Sequence, residues 1–152
     1  MSAARGYLLD TNVVLHATRQ NSPVSAAIES HFQLKQSPFR PAICEVTVAE
    51  LKAFAQAWGQ PRKELLKRLI ADLLVIPISN PSIHERWAEL YSFARKSGLP
   101  VQVDHNDVWI AATAHVAGLT LLSSDHKAFL PLRGTAWVDV IVLDPKSGQI
   151  VP

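Results

Sequence analysis

Cysteine is nearly absent: Cys44 is the only one in 152 residues. An internal disulfide is therefore excluded, and the chain suits a reducing cytoplasm. One thiol and scattered histidines also give no zinc-ligand spacing. Long apolar runs are missing too. Met1 to Gly6 carries one Arg, and only Tyr7, Leu8 and Leu9 follow before Asp10, so no signal-peptide apolar region fits there. The longest uncharged run, Val108 to Ser124, contains His115, two threonines and a glycine, and is shorter than the ~20 apolar residues of a membrane helix. No membrane role is expected. A Gly-x-Ser-x-Gly elbow is absent, which argues against a Ser-His-Asp hydrolase, and no Gly-rich phosphate loop is present. Charged residues make up only 18%, which leaves apolar surface for an oligomer or partner interface. Repeats, low-complexity tracts and linkers are also lacking, so residues 1–152 read as one domain, large enough to bury roughly 70% of its unfolded surface.

What is present alternates. Gly6–Leu9 reads as strand one, Asn12 to about Thr18 as a short helix. Ser22 caps a helix that starts at Pro23 and runs towards Phe32. Arg40–Val46 is strand two. Thr47-Val48-Ala49-Glu50 has capping-box spacing and opens a helix through Leu51, Phe54, Ala55 and Trp58. Pro61–Leu73 is amphipathic, with Leu65, Leu66, Leu69 and Ile70 on one side. Leu74–Ile78 is strand three. Pro81 starts a helix carrying Ile83, Trp87, Leu90, Tyr91 and Ala94. Asn106 to Ala117 is apolar nearly all round, so it is expected to be buried, and Gly118 ends it. Thr120–Ser123 and Val138–Leu143 complete the strands. Alternation of this kind favours a parallel α/β fold, whose strand C-termini share one edge.

The acids are few, and four fall at that edge. Asp10 follows strand one and Asp125 follows strand four. Glu50 lies in the first turn of the helix after strand two, and Asp107 in the first turn of the buried helix before strand four. Each has an ordinary reading: a cap, a capping-box acid, a dipole partner or a turn residue. Their common edge favours a joint role. Two like charges ~4 Å apart repel by ~4 kcal/mol at an effective dielectric near 20, so such a cluster calls for protons or a cation. All-oxygen donors select hard ions such as Mg²⁺ or Mn²⁺, which are equipped for phosphodiester hydrolysis.

The segments Tyr7–Leu15, Val46–Leu51, Asn106–Ala114 and Gly118–Asp125, with Phe129 after the last, resemble the four motifs of PIN domains, in the family's order and spacing. The subgroup most similar is the VapC-type toxins of toxin–antitoxin pairs. That resemblance implies a three-layer α/β/α fold around about five parallel strands. It also implies Mg²⁺- or Mn²⁺-dependent endoribonuclease activity, a homodimer, and an antitoxin that blocks the site. The matching acids are Asp10, Glu50, Asp107 and Asp125, with Asn12 and Ser123 at the supporting polar positions. Ser123 stands where Thr is common, and Ser124 where a basic residue is common. The non-hydrolytic reading is an RNA- or partner-binding module of the same fold; a DNA nuclease is a further alternative.

Around these motifs, Asn12 is expected to turn or cap its helix and to bond the Asp10 carboxylate. Asp104 reads as a loop or cap residue. His105 and His126 flank two of the acids and read as solvated. Arg62, Lys63, Lys67 and Arg68 form the densest basic stretch, of which Lys63 and Lys67 are candidates for contact with an RNA backbone. A net charge of +2 and a pI near 8.9 are compatible with such a partner.

Overall fold

The computed structural model describes residues 6–32 and 40–152; Met1–Arg5, part of the stretch read above for a leader, lie outside the described residues. The strands are β1 (Tyr7–Leu9), β2 (Ala42–Cys44), β3 (Leu74–Ile76), β4 (Thr120–Ser123) and β5 (Val140–Val142). The helices are α1 (Thr11–Ala17), α2 (Pro23–Ala27), α3 (Glu45–Ala55), α4 (Gln60–Ala71), α5 (Pro81–Lys96), α6 (His105–Ala117) and α7 (His126–Phe129). The sheet is parallel throughout, in the order β3-β2-β1-β4-β5. The expected three-layer α/β/α fold with five parallel strands is thus borne out.

Successive side chains point to opposite sides of a strand, and this divides the core in two. Leu8, Ala42, Cys44, Leu121 and Val140 pack with Leu90, Ala94, Ala111 and Phe129 of α5, α6 and α7. Leu9, Ile43 and Leu122 pack on the other side with Val13, Val24, Leu51 and Leu66 of α1 to α4. Because both sheet faces are covered, the inner strands read as continuous apolar runs. In α6, Val108, Ile110, Ala111, Ala112, Thr113 and Ala114 are buried, as its all-round apolar character predicts. Gly118 caps it in the left-handed conformation, φ 67°. The edge strand β3 is different: Leu74 is 51% and Val75 37% exposed.

Several boundaries move. Strand two is Ala42–Cys44 rather than Arg40–Val46, because α3 starts at Glu45 and not after Thr47. Cys44 is the N-cap residue and makes no side-chain cap bond; the capping-box reading of Thr47 and Glu50 is therefore wrong, for a reason that lies in the site. Strand three stops at Ile76, before Pro77, which has no amide to donate. Strand five is Val140–Val142 rather than Val138–Leu143. The helix from Pro23, capped by Ser22 as expected, passes into a π turn over Ile28–Phe32. No described helix is long and apolar enough to cross a membrane.

After β5 the chain turns back, and Leu143 bridges Ile150 in antiparallel pairing. Gly148 closes this turn at φ 74°, and a Cβ there would collide with the Pro23 carbonyl oxygen. Gly148→Ala is expected to lower stability by about 2 kcal/mol or more, from left-handed strain plus the clash. An unchanged urea midpoint would show that this turn is not held against α2.

Candidate active site

The topology fixes where a ligand can sit. From β1 the chain steps outward through β2 to β3, then returns to place β4 on the other side of β1. The order of strands reverses between β1 and β4, and the crevice beyond their C-terminal ends is where open α/β sheets bind ligands. Asp10 and Asp125 follow those two strands.

Asp10 extends the ladder by one residue, its amide donating to Leu122 O at 2.8 Å. It is also the N-cap of α1, with Oδ1 accepting from the Thr11 amide at 2.8 Å. Oδ2 accepts from Ser123 Oγ at 2.7 Å. An exposed cap carboxylate would have a lowered pKa. Asp10 is only 3% exposed, and burial, reinforced by Asp125 and Glu50, pushes its pKa from 3.8 up to about 7 against the pull of both hydrogen bonds. Capping and membership of an acidic cluster coexist in one residue.

Asp107 lies in the first turn of α6, but Asp104 is the cap, accepting from the Asn106 amide at 2.9 Å. The cap reading of Asp104 is borne out. Burial is the main cause that raises Asp107 to about 8, followed by the charges of Asp10, Asp104, Asp125 and Glu50. Asp125 caps the short helix α7 through Ala128 N at 3.0 Å, and its own amide donates to Ser123 Oγ at 2.9 Å. One serine hydroxyl therefore ties the ends of β1 and β4 together.

Glu50 comes from α3, in its second turn. Its Oε1 accepts from Thr11 Oγ1 at 2.7 Å, and Thr11 Oγ1 lies 3.1 Å from Thr47 Oγ1. The spacing of Thr47 and Glu50 that resembles a capping box instead turns both residues towards α1. Within the sequence Thr11 is not distinguished from its neighbours in the Tyr7–Leu15 motif, and Thr47 is marked only as a capping residue. Asn12 does not bond Asp10; its side-chain oxygen accepts from the Ser124 amide at 3.1 Å and fastens the loop after β4.

The chain matches the family model described as PIN domain over residues 7–131. The chain belongs to the PIN-domain family. It is 34% identical over 127 residues to ribonuclease VapC5 of Mycobacterium tuberculosis, covering 80% of this chain and 91% of that protein. Among solved structures it superposes on VapBC-5 of the same organism with a TM-score of 0.68 and 26% identity, covering 91% of this chain and 99% of the other. The VapBC2 structure from Rickettsia felis, bound to a promoter DNA fragment, gives 0.74 at 21% identity with the same coverage. The VapC-type resemblance read from the motifs is borne out.

In this PIN domain the acids press on one another electrostatically, yet among the described residues no three Asp, Glu, His or Cys side chains form a ready-made metal cage. An open, all-oxygen set suits a hard dication that keeps much of its water, as Mg²⁺ does, and not a closed zinc-type site. His105 packs edge-on to Trp87 and Tyr91. His126 is half-buried, and its Nε2 has no hydrogen-bond partner among the described residues, so it is not the solvated residue expected.

The basic stretch on α4 is not uniform. Arg62 lies 3.6 Å above the Trp58 ring and donates twice to Thr18 Oγ1, at 3.1 and 3.0 Å, so it fastens α4 to the end of α1. Lys63 and Lys67, with Lys52 of α3, line a groove of about 310 Å³ between α3 and α4.

Proposed function

We propose that this PIN domain, taken as residues 1–152, is a metal-dependent endoribonuclease and the toxin of a type II toxin–antitoxin pair. The observation that carries the reading is the acidic cluster at the β1–β4 switch point, with a buried Asp10 whose carboxyl is held near neutrality. The relative VapC5 is a ribonuclease by name, and the structural neighbours are VapBC complexes. By the same likeness we assign it RNA as substrate, a cognate antitoxin as partner, a homodimeric state and the cytoplasm as its place of action.

Asp10, Glu50, Asp107 and Asp125 are the residues that would hold Mg²⁺ or Mn²⁺. When bound, such an ion supplies Lewis-acid activation of water and charge stabilisation at the scissile phosphate. The protein's own groups bind and orient. Ser123 fixes Asp10 and Asp125 relative to each other. Its hydroxyl donates to Asp10 and accepts from Asp125 N, and its complete burial keeps it from a phosphate. Cys44 is fully buried as well, and in this reading water is the attacking species. Asp10 and Asp107 retain protons near neutral pH and release them as positive charge enters the cluster. A pure binding module has no use for carboxyls held under such repulsion.

The direct test is cleavage of structured and single-stranded RNA with Mg²⁺, Mn²⁺ or EDTA. Cutting under either metal and none in EDTA is expected; folded, antitoxin-free protein that cuts nothing would overturn the reading. Lys63 and Lys67 are proposed to contact the RNA backbone. Reversing both to Glu is expected to weaken single-stranded RNA binding and to reduce the slope of log K against log salt by about 1.4. Identical binding and slope would remove the patch.

A further inference from the structure

We propose that Thr11 is a positioning residue for Glu50, backed by the hydroxyl of Thr47; this rests on the nuclease reading above. Thr11 is buried between α1 and α3 and serves two acids at once. Its amide holds Asp10 Oδ1 at 2.8 Å and its hydroxyl holds Glu50 Oε1 at 2.7 Å. A threonine hydroxyl carries one proton. The carboxylate is the stronger acceptor and takes it, so the 3.1 Å contact between the two threonines uses the proton of Thr47. The result is a relay from Thr47 to Thr11 to Glu50, with both threonines buried.

The relay answers two needs. A glutamate has three side-chain torsions and loses entropy when ordered; a charge-assisted bond to a buried anchor offsets that loss. Repelling carboxylates also tend to swing apart. Glu50 acts on both Asp10 and Asp107, so its charge faces the cluster. Only its Oε1 is bonded to protein among the described residues, which leaves Oε2 for a cation or its water. Thr11 sets the spacing between the Asp10 and Glu50 carboxylates from a single residue.

The test uses the full chain, stripped of metal and titrated calorimetrically with Mn²⁺, beside RNA cleavage. Thr11→Val keeps the shape and removes the hydroxyl; Thr11→Ser keeps the hydroxyl. Mn²⁺ affinity is expected to fall about 10–100-fold in Thr11→Val, as for other groups that orient metal ligands, and to recover in Thr11→Ser. In a Glu50→Gln background Thr11→Val should change affinity no further. Wild-type affinity in Thr11→Val, an equal loss in the Gln background, or no recovery with Ser each overturn the proposal. If Thr11→Val does not fold, Thr47→Val decides by the same titration: weakened affinity supports the relay, and unchanged affinity overturns it. A wild-type chain that neither binds Mn²⁺ nor cuts RNA removes the nuclease reading and this inference together. A competent wild type with an unaffected Thr11→Val removes the inference alone.

Discussion

Asp107→Asn is expected to abolish RNA cleavage while making the metal-free protein more stable. The substitution keeps size and removes one charge from a cluster in which Asp107 is raised to about 8 by burial and by four neighbouring acids. Loss of a proposed direct ligand should exceed the ~10–100-fold typical of groups that only orient ligands. The same change relieves repulsion, so the thermal midpoint at pH 8 should rise rather than fall. That opposition of activity and stability is characteristic of sites whose geometry is kept under strain. Asp10→Asn should lose cleavage as completely. Its gain in stability should be smaller, because Ser123 donates to Asp10 and must find another acceptor when an amide nitrogen faces it. Retained cleavage in Asp107→Asn, or lost cleavage with a lowered midpoint, would contradict the assignment.

In EDTA the protein should lose stability as pH rises from about 5 to 8, which is opposite to the usual behaviour of paired carboxylates. The sign follows from linkage. Asp10 titrates near 7 and Asp107 near 8 in the folded chain, against 3.8 for an ordinary aspartate. Between these values the folded state binds more protons than the unfolded one, so unfolding becomes easier as protons are withdrawn. Each such group contributes a slope of up to about 1.4 kcal/mol per pH unit. For the fully buried Asp10 the loss approaches roughly 4 kcal/mol once both states are ionised. Binding of Mn²⁺ to the ionised cluster, as proposed above, should flatten the profile, raising the midpoint more at pH 8 than at pH 6. Scanning calorimetry across pH with EDTA or Mn²⁺ checks both parts. A midpoint in EDTA that climbs steadily from pH 5 to 9 would show that the acids are not buried together.

Much of this was legible beforehand because parallel α/β folds leave strong local marks. Apolar strands, the period of α5, the all-apolar α6 and its terminal glycine fix the order of elements, and the order of elements fixes the shared edge. What escaped depended on contacts between distant segments. Thr47 and Glu50 have the spacing of a helix start, and only Thr11, 39 residues before Glu50, shows why they lie inside the helix. Thr11 itself looks like any first residue of a helix. Asn12 was assigned to the nearest carboxylate, whereas its partner is the backbone of Ser124. The four-residue α7 is too short to show a period. In the sequence Arg62 is one member of a basic stretch, and only the fold reveals the Trp58 ring beneath it.

The reversal of strand order beside β1 also sets a timetable for synthesis. β1 is made before β4, with which it pairs, and Asp10 meets Ser123 across 113 positions of sequence. Contacts of such range form late. On the ribosome, Asp10 and Glu50 emerge before Asp107 and Asp125, so a nascent chain cannot assemble the cluster until Asp125 has followed them out. The cluster is thereby absent from any chain released before the segment that carries Asp125 has been made.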